Sequence, residues 1–193
     1  TSVKTYLKLV RDFQIPWFIF GDGEASAIST IKTALKVAFR NDNIPNNVII
    51  IDNGDDYENH LIRNSYGDYI VNAINDYELQ LLQETDPEIA ARDPKTYFEK
   101  FIERKNHSVE KIQKTGRQCE LCHQDIAEKI LRCYDGEDGR KKAILDCCQQ
   151  SDAKAKYSYL IAVEIVTKAE EDKKIPPKVK DLMNGINEVF HWR

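Results

Sequence analysis

The sequence predicts an α/β fold: a parallel sheet with flanking helices and a large helical insertion. Three observations predict it. Trp17–Phe20 and Val48–Ile51 are apolar at every position, as strands covered on both faces of a parallel sheet are. Each run ends in a glycine-containing acidic stretch, Gly21–Glu24 and Asp52–Asp56. Amphipathic helical patterns stand before the first run and between the two.

Ser2–Phe13 reads as a helix, with Ser2 as its cap and Val3, Tyr6, Leu7, Leu9, Val10 and Phe13 as its apolar face. Gln14-Ile15-Pro16 ends it. Ala25–Arg40 is the second helix and Asn41–Asn47 a polar turn. The first 56 residues therefore run helix, strand, helix, strand. In an open α/β sheet ligands bind at the carboxyl ends of the strands, so both acidic loops are expected along one edge. Helices are then predicted over Asp56–Asn64, Asp68–Gln83, Lys95–Lys105, Gln124–Cys133, Lys141–Gln149, Asp152–Ala169 and Pro177–Phe190. Thr85–Pro94 reads as a polar connection, Asn106–Arg117 as a helix or loop, and Tyr134–Arg140 as a turn. Two strands alone make a marginal sheet. Further strands are expected before Thr1, or from a partner, which makes the fold truncated before its first strand. The only methionine, Met183, is internal, so the start was processed or the chain is a piece of something longer.

Composition narrows the class. Hydrophobic residues at 41% and charged residues at 31% exclude a mainly disordered or collagen-like chain. No run approaches the roughly 18 apolar residues of a membrane span. A net charge of -4 argues against a chain coated in basic residues, yet a metal ion can supply positive charge where acidic ligands cluster. Five cysteines without a secretory signal read as reduced thiols in a cytoplasmic protein.

The chemistry-bearing residues follow from the loops. Asp22 and Glu24 flank Gly23 after the first strand, a pair of hard oxygen donors suited to Mg²⁺ or Mn²⁺; a plain acidic turn is the alternative. Asp52, Asp55, Asp56 and Glu58 lie within seven residues and repel one another without a cation. Asp55 or Asp56 also suits a helix N-cap, with Glu58 in the first turn. Lys154 and Lys156 open a helix where cations are mildly unfavourable; a phosphate held there supplies a reason, and two solvated lysines are the other reading.

At these residues the chain resembles a known family. TSVKTYLKLVRDFQIPWFIFGDGE, Thr1–Glu24, is similar to the middle of the TOPRIM domain of OLD-family (overcoming lysogenization defect) ATP-dependent endonucleases, which include the nuclease subunit of the Gabija antiphage system. The family's D-x-D motif stands here as Asp22-Gly23-Glu24. GDDYENHL, Gly54–Leu61, resembles its later acidic motif through Glu58 and Leu61, with Asp56 in the auxiliary place. KAKYSYLIAVEI, Lys154–Ile165, resembles its closing helix, whose lysine acts at the phosphate. The resemblance implies a Mg²⁺- or Mn²⁺-dependent endodeoxyribonuclease of antiviral defence. Asp22 and Glu24 would hold one ion and Glu58, helped by Asp56, the other. Lys154 would face the phosphate, with Lys156 as substitute. It implies DNA as substrate, a homo-oligomer, a helicase-like partner protein and an ATPase domain upstream. It divides the chain into a nuclease core, residues 1–67 and 141–193, and a helical insertion, 68–140. The family's first strand, with its metal-binding glutamate, is not found, so the chain alone is expected to be inactive. A non-catalytic scaffold for oligomerisation or partner docking is the alternative. A receiver-type acidic-pocket domain fits less well, because well over 100 mostly helical residues follow the two-strand pattern.

Cys119-Glu120-Leu121-Cys122-His123 has the spacing of half a zinc site, and a second pair could come from Cys133, Cys147 or Cys148. Gln118–Cys133 also reads as an amphipathic helix in which Cys122, Ile126, Ile130 and Cys133 share a face. His60, His107 and His191 stand isolated, His60 at an expected exposed helix position.

Overall fold

The two apolar runs are strands, and they pair. In the computed structural model, which describes residues 3–190, β1 (Ile19–Gly21) lies parallel to β2 (Val48–Ile50), with Ile19 opposite Val48 and Gly21 opposite Ile50. Ser2, read as a helix cap, and His191 lie outside the described residues. The chain divides into two units, one of residues 1–66 and 165–193, the other of residues 67–164.

In the first unit, α1 (Val3–Asp12) and α2 (Ala25–Phe39) cover one face of the sheet. Leu7 and Val10 of α1 meet Ile31, Ala34, Leu35 and Ala38 of α2 and the strand residues Ile19 and Val48. Side chains alternate along a strand, so Phe18 and Phe20 face the other way. There α9 (Pro177–Phe190) packs on β2, and Gly185 admits Phe18: a Cβ there would stand 3.2 Å from Cε1 of the ring. The apolar face of α1 is narrower than its sequence pattern, because the two-strand sheet is too small to cover it. Tyr6, Leu9 and Phe13 are exposed. After β2 the chain makes a 3-10 turn at Asp52–Gly54 and enters α3 (Tyr57–Arg63).

The second unit contains α4 (Gly67–Thr85), α5 (Pro87–Arg92), α6 (Tyr97–Lys105), the antiparallel pair β3 (Val109–Gln118) and β4 (Asp125–Leu131), α7 (Gly136–Cys148), and α8 (Ala153–Lys168) as far as Glu164. Ile70, Ile74, Phe98, Phe101, Tyr134, Ile144 and Cys147 are buried. Phe101 stacks between Phe98 and Tyr134 at 6.4 and 6.2 Å. Thr96 and Glu99 close a capping box on α6.

Several expectations are corrected here. The insertion is not all helical: residues 109–131 form a hairpin where Gln124–Cys133 reads as a helix. Register shifts between Val109 and Lys111 and between Lys114 and Gln118 break the period-two alternation and imitate helical spacing. Thr85–Pro94 contains α5, begun by Asp86 as cap and Pro87 in the first turn. α7 starts at Gly136, inside the expected turn, with Glu137 and Asp138 favourably placed at its positive end. By packing, residues 141–164 lie in the second unit together with residues 67–140. On α8 helical spacing makes Tyr159, Leu160, Val163 and Val166, with Ala162 and Ile165 beside them, the expected buried side, and the structure differs. Ala153, Tyr157, Glu164 and Ile165 are buried, while Tyr159 is 75% and Val166 56% exposed. Among the described residues no helix is long and apolar enough to cross a membrane.

Candidate functional site

Both acidic loops leave the same edge of the sheet. The Ile51 N–H donates to the Gly21 carbonyl at 3.0 Å, and the Gly23 N–H donates to the Asp55 carbonyl at 2.8 Å. This continues the parallel pairing past the strand ends and fastens loop to loop. A Cβ on Gly23 would stand 2.1 Å from the Ile51 carbonyl oxygen, so only glycine permits the approach.

Asp22 is half-buried at this edge and Glu24 is exposed. Glu24 occupies the N-cap position of α2 with extended backbone, yet its side chain makes no cap hydrogen bond. The helix end does not consume its carboxylate.

The second acidic group is finished differently. The Asp56 Oδ1 accepts from the Asn59 N–H at 2.8 Å and from Asn59 Nδ2 at 2.9 Å, so Asp56 is the N-cap of α3. The Arg63 guanidinium grips Asp55, with Nη2 3.0 Å from Oδ1 and Nε 2.9 Å from Oδ2. Lys178 of α9 lies 3.0 Å from Asp52. The repulsion expected among these carboxylates is relieved by Arg63, Lys178 and a helix end, which sequence spacing could not reveal. Glu58 sits half-buried in the first turn of α3 and holds an interaction of its own. Asp22, Glu24, Asp56 and Glu58 do not converge into one cage: among the described residues no group of three or more His, Cys, Asp or Glu side chains is placed to hold a metal ion.

His60 is a correction. It is 6% exposed rather than solvated. Burial pushes its pKa below the ordinary value, with Lys178 and Arg63 adding to the effect and Asp52 and Asp55 opposing it. Its Nε2 is buried without a hydrogen-bond partner, and its ring stacks on Tyr57 at 6.4 Å. Tyr57 meets Phe20 edge-on at 5.7 Å, and burial first, then Tyr66 and Glu58, raises its pKa. The signal missed was helical phase. His60 stands one turn after Tyr57 and shares its side of α3, and with Leu61 and Ile62 also buried the short helix is covered on more than one side.

Lys154 and Lys156 belong to the second unit. Lys154 is exposed. Lys156 pairs with Glu78, which also accepts from the Tyr157 hydroxyl. Its ammonium lies 5.1 and 5.2 Å from the Tyr77 and Tyr157 ring centroids. Burial lowers the Lys156 pKa, and the hydrogen bond and charge of Glu78 more than offset it, so the net shift is upward. Lys156 thus has a structural occupation that accounts for its place at a helix start.

The chain matches no family model, no curated protein and no solved structure. The residues themselves carry the functional argument.

Proposed function

We propose that the chain is the nuclease module of an OLD-type antiviral defence endonuclease, hydrolysing DNA phosphodiesters with Mg²⁺ or Mn²⁺. The observation that carries this is the bond from Gly23 to Asp55, which sets two acidic loops on one carboxyl edge of a parallel sheet. Asp22 and Glu24 are the cation's donors, while Glu58, in the first turn of α3, stands outside their group. The chemistry of this set fits a hard cation: Mg²⁺ takes oxygen ligands, keeps several waters, and is commonly held by one or two carboxylates together with substrate phosphates. When bound, it supplies activation of water and stabilisation of the leaving oxygen. The chain's own contribution is to fix the donors on a rigid edge and to keep Asp52 and Asp55 neutralised by Lys178 and Arg63. The remaining acidic charge then does not repel the approaching DNA backbone as strongly. A cytoplasmic homo-oligomer working beside a helicase-like partner and an ATPase domain belongs to the same reading.

The second reading is a non-catalytic scaffold. The observation favouring it is that Asp52, Asp55 and Asp56 are all engaged by protein groups. Nicking of supercoiled DNA by the native protein decides between the two. The nuclease reading predicts nicking with Mg²⁺ or Mn²⁺ that stops with EDTA and falls on the order of 10²–10³-fold in Asp22→Ala. Equal nicking by a folded Asp22→Ala protein contradicts it.

A further inference from the structure

The tip of the β3–β4 hairpin is a tight turn closed by backbone bonds: the Cys119 N–H donates to the Gln124 carbonyl and the His123 N–H to the Cys119 carbonyl, both at 2.9 Å. His123 takes φ 55°, in the left-handed region. Within this turn the backbone N–H groups of Cys122 and Leu121 and the Cys122 thiol hydrogen-bond to the Cys119 sulfur. The two sulfurs are therefore neighbours, in no disulfide, and reachable: Cys119 is half-buried and Cys122 exposed. Cysteine ligates metal as the thiolate, and both sulfurs of the turn are open to one.

Two adjacent thiolates suit zinc, which takes four ligands in a tetrahedron. The described residues do not bring the other two to this pair. Among the described residues no third His, Cys, Asp or Glu stands with this pair, so His123 does not complete it. Cys133 lies beyond the far end of β4 with its thiol on Asp135 at 3.5 Å, and Cys147 and Cys148 are buried in α7. This removes every donor the sequence spacing had suggested for the second pair.

We propose that Cys119 and Cys122 are one half of a Zn²⁺(Cys)₄ site completed by the same pair of a second copy of this chain. A twofold axis through the ion doubles a two-thiolate turn into a closed four-thiolate site, and isologous pairing of this kind is the commonest way identical chains associate. The surroundings fit a covered tip. Leu121, between the two cysteines, is 93% exposed, and Ile112 is 67% exposed on β3. A two-stranded ribbon bared on both faces is marginal in water; a metal across its turn ties the ends of both strands and gives Leu121 a neighbour. Each cysteine gives up its thiol proton to the solvent on binding, so affinity rises with pH. The site is independent of the acidic edge and of the function proposed for it.

The test uses the reduced, metal-free chain titrated with Co²⁺ as a coloured stand-in for Zn²⁺, with molar mass followed by light scattering. The expected result is a tetrahedral thiolate spectrum that saturates at one ion per two chains, with a metal-dependent doubling of mass that EDTA reverses. Zn²⁺ should displace the colour. Cys119→Ser and Cys122→Ser should each abolish both changes while leaving the circular dichroism spectrum unchanged, since both residues are at an accessible turn. Saturation at one ion per chain without a change in mass overturns the proposal. So does the absence of a thiolate spectrum, or a mass increase that persists in the serine variants.

Discussion

The acidic edge of the first unit and the thiol turn of the second are both made by backbone hydrogen bonds across a tight approach. They differ in how their reactive groups are finished. At the edge, Asp52, Asp55 and Asp56 are matched by Lys178, Arg63 and the start of α3. The loop after β1 presents a carboxylate, Glu24, whose side chain makes no hydrogen bond to its helix end. At the hairpin tip the Cys119 sulfur is held by the Cys122 thiol and by the backbone of its own turn. A count of acidic residues therefore overstates the first site, and a count of cysteines understates the second. What matters is which groups the fold has already used.

The comparison breaks most severely at Gly23. Its missing side chain is what lets the two acidic loops touch, and the atom in the way is a backbone oxygen that cannot rotate aside. Gly23→Ala should cost about 3 kcal/mol in urea unfolding. A cost below about 0.5 kcal/mol would mean that the loops are not held together as described.

Asp56 sharpens the difference between cap and ligand. Asp56→Ala should lose about 1 kcal/mol of stability, whereas Asp56→Asn, which keeps a capping oxygen, should lose only a few tenths. Neither change should weaken Mn²⁺ binding. A large loss of Mn²⁺ affinity in a stable Asp56→Asn protein would return Asp56 to the ligand set that the sequence suggested.

The smallest effect is on pH. Burial depresses the His60 pKa below its ordinary 6.5, so the unfolded chain takes up a proton that the folded chain resists. His60 therefore contributes stability above pH 6.5 that is lost as pH falls toward the depressed native value. Thermal melts between neutral pH and the onset of carboxylate titration should show this slope, and His60→Phe should flatten it. A slope unchanged in the variant assigns the effect elsewhere.

Much of the first unit was legible. Trp17–Phe20 and Val48–Ile51 could be read as parallel strands because a strand covered on both faces leaves a continuous apolar run. Asp56 was readable as a cap because caps are local. Elements governed by distant partners were not. The face of α8 is set by Tyr157 and Lys156 meeting Glu78, 79 and 78 residues away in sequence, so the apolar stripe through Tyr159 and Val166 points to solvent instead. The hairpin was masked by its register shifts. At the candidate site the shared edge was foreseeable, but the neutralising roles of Arg63 and Lys178 and the burial of His60 depend on packing that no spacing encodes.

The central claim is that the edge carrying Asp22 binds a divalent cation. Loss of the free Mn²⁺ paramagnetic resonance signal on adding the chain measures this directly and does not depend on catalysis. The account predicts binding by the wild-type chain that weakens about tenfold or more in a folded Asp22→Ala variant, with the Cys119→Ser, Cys122→Ser double variant binding Mn²⁺ as wild type does. Equal binding by wild type and Asp22→Ala, or no binding by either, would contradict it.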